Sequence, residues 1–159
     1  MMSDPYLSLD KEAFFPNLRR GEYQVTSLET SHYNCIAHAA GKDDNWWWPD
    51  VGTGIHWPIA TMEVTLDAFV AAYETEGYMT CQSQSRALEP GVDKVAIYVD
   101  GAGEPTHAAR QLPDGAWTSK LGDWEDIRHI TLEAMEDDTG RGLGYGQVAM
   151  IMRRALPAK

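Results

Sequence analysis

The chain has 159 residues, with 43% hydrophobic and 23% charged side chains. That is the size and composition of one globular domain with one core, and it excludes collagen-like, coiled-coil and low-complexity architectures. The 24 acids outnumber the 13 bases, for a formal charge of −11, and the pI is near 4.7; such a surface repels a phosphate backbone, so nucleic acid is not an expected partner. No apolar run reaches the roughly 18 to 20 residues of a membrane helix, and residues 1–20 carry acids without an apolar signal core. The expectation is a soluble, cytoplasmic, monomeric protein without a membrane partner.

Residues 1–30 read as an N-terminal arm, interrupted by Pro5, Pro16 and Gly21, and residues 31–156 as a single domain. The string SHYNCIAHAAG (31–41) predicts a short buried helix, with Ser31 or Asn34 as its cap, Cys35 in its first turn and Gly41 at its end. It is followed by KDDNWWWPDVGTGIHWP (42–58), a loop of 17 residues with neither helical nor strand period, in which Trp46, Trp47 and Trp48 are consecutive. Leu66, Phe69, Val70 and Tyr73 form one stripe of a helix over 65–76 that Gly77 ends. Residues 78–83 read as a short strand and Lys94–Val99 as a strong one. Residues 106–112 and 116–121 flank Pro113-Asp114-Gly115 and predict a hairpin. Trp124–Met135 reads as a short helix, GRGLGYGQ (140–147) as a turn, and residues 145–154 as the last strand. The order predicts an α+β fold, with N-terminal helices packed on an antiparallel sheet of about four to six strands.

Two cysteines, Cys35 and Cys81, are too few for a disulfide framework and fit a reducing compartment. A thiol at a helix start gains from the helix dipole, and a nearby imidazole supplies a base. His107 opens a strand, and a hairpin centred on Asp114 sets residue 107 across from residue 121, so that Trp117, Ser119 and Leu121 share its face while Arg110 and Lys120 take the other, as solvated or partner-facing charges. Cys35, His107 and Ser119 are therefore the candidate catalytic residues, with Asp126 and His129 as alternatives to Ser119 for orienting the imidazole. Asn34, Trp46, Trp47, Trp48 and Trp117 are candidate substrate-binding residues, the tryptophans as the wall of a cleft. His32, Cys35 and His38 offer zinc-type ligands, but their spacing drifts around a helix and lacks a second ligand pair. Asp43, Asp44 and Asp50 lack the pattern of a calcium loop. No metal or cofactor is assigned.

The order of a Cys at a helix start, a His on one strand and a polar residue on the next resembles the papain-like superfamily, especially its small bacterial NlpC-type members. YNCIAHAAG, NWWWP, THAARQLPDGAWTSKLG and YGQVAMIMRR are also similar to a bacterial domain family of unassigned function with YNC(I/F)AWA, WWWP and HAARQ motifs; the chain departs from it at His38. The resemblance implies a papain-like fold and a thiol hydrolase or transferase, of peptidase, amidase or deamidase type, acting on a peptide, protein or amide through Cys35 as nucleophile and His107 as base. The alternative is a non-catalytic module of the same fold that binds protein through its Trp-rich loop.

Overall fold

The computed structural model describes residues 5–50, 55–80 and 82–156; Cys81 and the loop positions 51–54 lie outside them. The core is a sheet of seven antiparallel strands, one more than the sequence predicts at most. In chain order these are β1 (Tyr23–Ser27), β4 (Met79–Thr80), β5 (Val92–Val99), β6 (Pro105–Gln111), β7 (Trp117–Lys120), β8 (Asp126–His129) and β9 (Gln147–Ala155), arranged β1-β8-β7-β6-β5-β9-β4. Two further strands, β2 (Trp46–Trp47) and β3 (Ile55–His56), pair in parallel at the ends of the Trp-rich loop. The helices α1 (Leu9–Glu12), α2 (Cys35–Ala39) and α3 (Leu66–Glu74) complete an α+β architecture. No helix among the described residues is long and apolar enough to cross a membrane.

Cross-strand partners assign every central side chain to a face. Ile97 pairs with Ala108, and both belong to a cluster with Cys35, Ile36, Ala39, Trp47, Phe69 and Tyr73; this is the face covered by α2 and α3. Ala96 pairs with Ala109, and both belong to the opposite cluster with Leu7, Phe15, Tyr23, Trp117, Leu121 and Ile127, covered by the N-terminal arm. Both faces are buried, so the central strands read as continuous apolar runs rather than alternating ones.

Two segments differ from the sequence expectation. The spacing of three between Trp124, Ile127 and Ile130 mimics a helix, yet Asp126–His129 is a strand between β1 and β7, and only Leu132–Met135 turns, as a 3-10 helix. The arm likewise holds β1, whose pairing with β8 supplies what its own pattern does not. The Pro113-Asp114-Gly115 hairpin has Arg110 opposite Thr118 and Gln111 opposite Trp117.

Candidate functional site

Asn34 caps α2, its Oδ1 accepting the Ala37 N–H at 3.1 Å. The same side chain pairs with the Trp47 backbone through Nδ2 and Oδ1, at 2.9 and 3.1 Å. It therefore serves helix and loop at once, and is buried. Cys35 is the first residue of α2 and is buried. Its thiol lies against the backbone N–H of Ala108, yet loss of solvent outweighs this amide and the Lys120 charge and pushes the thiol up to about 11. A helix start lowers a thiol's pKa only where solvent or a cation reaches the thiolate. Here burial dominates.

His107 is paired across the sheet with Tyr98, in the cluster opposite α2. Its ring stacks on Tyr145 at 3.9 Å and an interplanar angle of 3°. Ser119 Oγ bridges two imidazoles, 2.9 Å from His107 Nε2 and 2.7 Å from His129 Nε2. His129 Nδ1 lies 2.8 Å from the Thr131 carbonyl. A carbonyl only accepts, so His129 carries its proton on Nδ1, Ser119 donates to His129 Nε2, and His107 donates from Nε2 to Ser119. His107 Nδ1 is left as a bare lone pair, buried and without a hydrogen-bond partner among the described residues. Burial holds His107 well below its usual pKa, helped by repulsion from His129 and His38, and holds His129 at about 4.

The structure thus brings His107, Ser119 and His129 together, and it places Cys35 next to Ala108. It does not join Cys35 to His107. The thiol belongs to the α2 face, the imidazole leaves β6 on the other face, and Nδ1 has no hydrogen-bond partner, the Cys35 sulfur included, among the described residues. Trp117 is buried on the His107 face with Trp124 packed against its cluster, on the opposite side from Trp47, Trp48 and Trp57. Trp47 is a core residue; Trp48 and Trp57 are half-buried and lie on Phe69 at 5.4 and 5.0 Å, and the Trp46 indole N–H donates to the Ser31 carbonyl.

A second polar group lies on the α2 face. His38, one turn after Cys35, has Nε2 2.9 Å from Thr118 Oγ1 and Nδ1 3.9 Å from Asp126 Oδ2. Tyr33 donates to the same Asp126 oxygen at 2.7 Å, while Asp126 Oδ1 is buried without a hydrogen-bond partner among the described residues. Asp126 therefore faces His38, not His107. Lys120, expected as a solvated charge, is fully buried; its Nζ donates to the carbonyls of Thr30, Gly122 and Trp124. Its long stem and three donors satisfy a loop turn that would otherwise carry bare carbonyls, a role that only the fold reveals. Among the described residues no three His, Cys, Asp or Glu side chains converge as a metal site.

A model of the family described as "Domain of unknown function (DUF7689)" matches residues 24–153, from β1 to within β9. No curated protein and no solved structure matches the chain.

Proposed function

The chain belongs to that family, and from the geometry of its own residues we propose that it is a non-catalytic domain that binds another protein through its Trp-rich edge. The observation that carries this reading is the separation of Cys35 from His107 by the backbone of β6, with both groups buried and the thiol pushed up. In this reading the papain-like order of Cys and His is retained as architecture. The contact surface is formed by half-buried Trp46, Trp48, Trp57 and Ile59, with exposed Met62 beside them and exposed Asp43, Asp44 and Asp50 at the rim. Aromatic residues and methionine are enriched in protein interfaces, and rim charges steer association. The partner that fits presents an apolar protrusion flanked by lysine or arginine.

Immobilised protein should retain a partner from cell extract that Met62→Glu releases with at least about tenfold weaker binding. Asp43→Lys with Asp44→Lys should weaken it further, and Cys35→Ala should leave it unchanged. Retention that depended on Cys35 and ignored Met62 and the two aspartates would overturn the reading.

One observation favours the second reading, a papain-like hydrolase or transferase using Cys35 and His107. His107 donates from Nε2 to Ser119 and keeps Nδ1 bare, the protonation state a general base needs. That reading requires a rearrangement of β6 that brings the ring to the thiol, and it makes Cys35 a fast-reacting nucleophile.

A further inference from the structure

The short helix α2 is fastened at both ends. At its start Asn34 is bonded to the Ala37 N–H and to both backbone groups of Trp47; near its end His38 is bonded to Thr118 on β7 and faces Asp126 on β8. With only five residues between the cap and the end of the helix, a shift of His38 relative to the sheet is passed to Asn34 and so to Trp47. His38 is also the one residue at these fastenings whose charge changes between pH 5 and 8 from its unperturbed value.

We propose that His38 is a pH-responsive latch: its protonation closes Nδ1 onto Asp126, reseats α2 on the sheet and thereby moves the Trp46–Trp48 segment. This rests on the binding surface proposed above and names its regulation. In the structure, Nε2 lies 2.9 Å from the Thr118 hydroxyl and Nδ1 3.9 Å from Asp126 Oδ2, beyond hydrogen-bond range. That oxygen is held by the Tyr33 hydroxyl, whose ring stacks on His38 with centroids 5.7 Å apart. A protonated ring is a donor at both nitrogens, so Nδ1–H competes with Tyr33 for Asp126 Oδ2, with a full charge on each side. The charged and titratable groups that bear on His38 are Asp126 on β8, Lys120 on β7, Arg110 and His107 on β6, and Asp43 and Tyr33 in the flanking loops. Asp126 and Asp43 favour the charged ring, Arg110 and Lys120 oppose it, and burial opposes it most. The latch therefore closes below the ordinary histidine midpoint of about 6.5.

The test follows the Trp46 indole N–H resonance from pH 7.5 to 4.5, in protein carrying His32→Gln and His56→Gln so that neither nearby imidazole contributes. The resonance should move with a midpoint below about 6.5, and the movement should vanish on adding His38→Gln, which keeps a partner for Thr118. Tyr33→Phe, which frees Asp126 Oδ2 and keeps the ring, should raise the midpoint; this variant decides the matter if His38→Gln folds poorly. A Trp46 resonance that stays fixed, or that titrates identically in His38→Gln and Tyr33→Phe, would overturn the latch. The titration uses no partner, so it can fail while the surface still binds, and hold while the surface binds nothing.

Discussion

The side-chain amide of Asn34 pairs with Trp47 as the peptide of a neighbouring strand would, donating to its carbonyl at 2.9 Å and accepting its N–H at 3.1 Å. The same Oδ1 caps α2. One short side chain thus joins the helix that begins at Cys35 to the start of the Trp-rich loop, and both are held or lost together.

Asn34→Ala should therefore cost more than an ordinary cap. A lost N-cap is worth about 1 kcal/mol and a buried group left without its partner about 1 to 3, so the loss in urea unfolding should be about 2 to 4 kcal/mol, with increased exposure of Trp47 to acrylamide quenching. A loss under about 0.5 kcal/mol, the size of a surface substitution, would contradict the double role.

Ser119 links the two buried imidazoles on the arm side of the sheet. Ser119→Ala removes the hydrogen bonds to both, at 2.9 and 2.7 Å, and leaves His107 Nε2–H without its acceptor. A cost of about 2 to 4 kcal/mol in the unfolding midpoint is expected. Ser119→Cys, which keeps a weak donor and acceptor, should recover part of it.

The pH dependence has a definite sign. Burial lowers His129 to about 4 and holds His107 well below its ordinary value, while both titrate near 6.5 when unfolded. Between these values the unfolded chain binds more protons, so stability rises with pH: the contribution is fully present above about 6.5 and is lost as pH falls toward about 4. For His129 alone the change is roughly 3 kcal/mol. Urea midpoints should fall steeply from pH 7 to 4.5, and the His129 ring proton should remain in its neutral position while the protein is folded. Titration of that proton near pH 6.5 in folded protein would contradict the burial argument.

Gly146, immediately before β9, has φ +84°, and a Cβ there would stand 2.0 Å from the Val99 carbonyl oxygen. Because the obstacle is backbone on β5, it cannot turn aside. Gly146→Ala should cost at least about 3 kcal/mol, whereas Gly142→Ala, also at positive φ but with open space around it, should cost about 1 kcal/mol. Equal costs would show that the strain of positive φ, and not the clash, sets both.

Much of this arrangement is local and was legible in the chain. The capped helix at Asn34–Cys35, the Pro113-Asp114-Gly115 turn and the strand at Lys94–Val99 each carry their own signal within ten residues. β1 and β8 do not, because they are strands by virtue of each other and of β7, and the three-residue spacing of Trp124, Ile127 and Ile130 points to a helix instead. Local reading also sets Ser119 on the face of His107, where the two are hydrogen-bonded. Which face α2 covers is decided by tertiary packing, so the parity of residue 107 on β6 could not by itself say whether its ring meets Cys35. For Lys120 and His38 the reason is similar: the groups they meet, the Thr30 carbonyl and Asp126, lie about 90 residues away in the chain.

With Cys35 and His107 on opposite faces of the sheet, the two should not act as a reactive pair, and the rate of iodoacetamide labelling at Cys35 reads this out. Labelling of native protein would be followed from pH 5 to 10, with the modified residue located by peptide mapping and His107→Gln run alongside. With the thiol pushed up to about 11 and buried, Cys35 should label far more slowly than a free cysteine, gain rate only above about pH 9, and be indifferent to His107→Gln while the protein stays folded. Rapid labelling of Cys35 below pH 7 that His107→Gln abolishes would contradict the account and establish an activated thiolate.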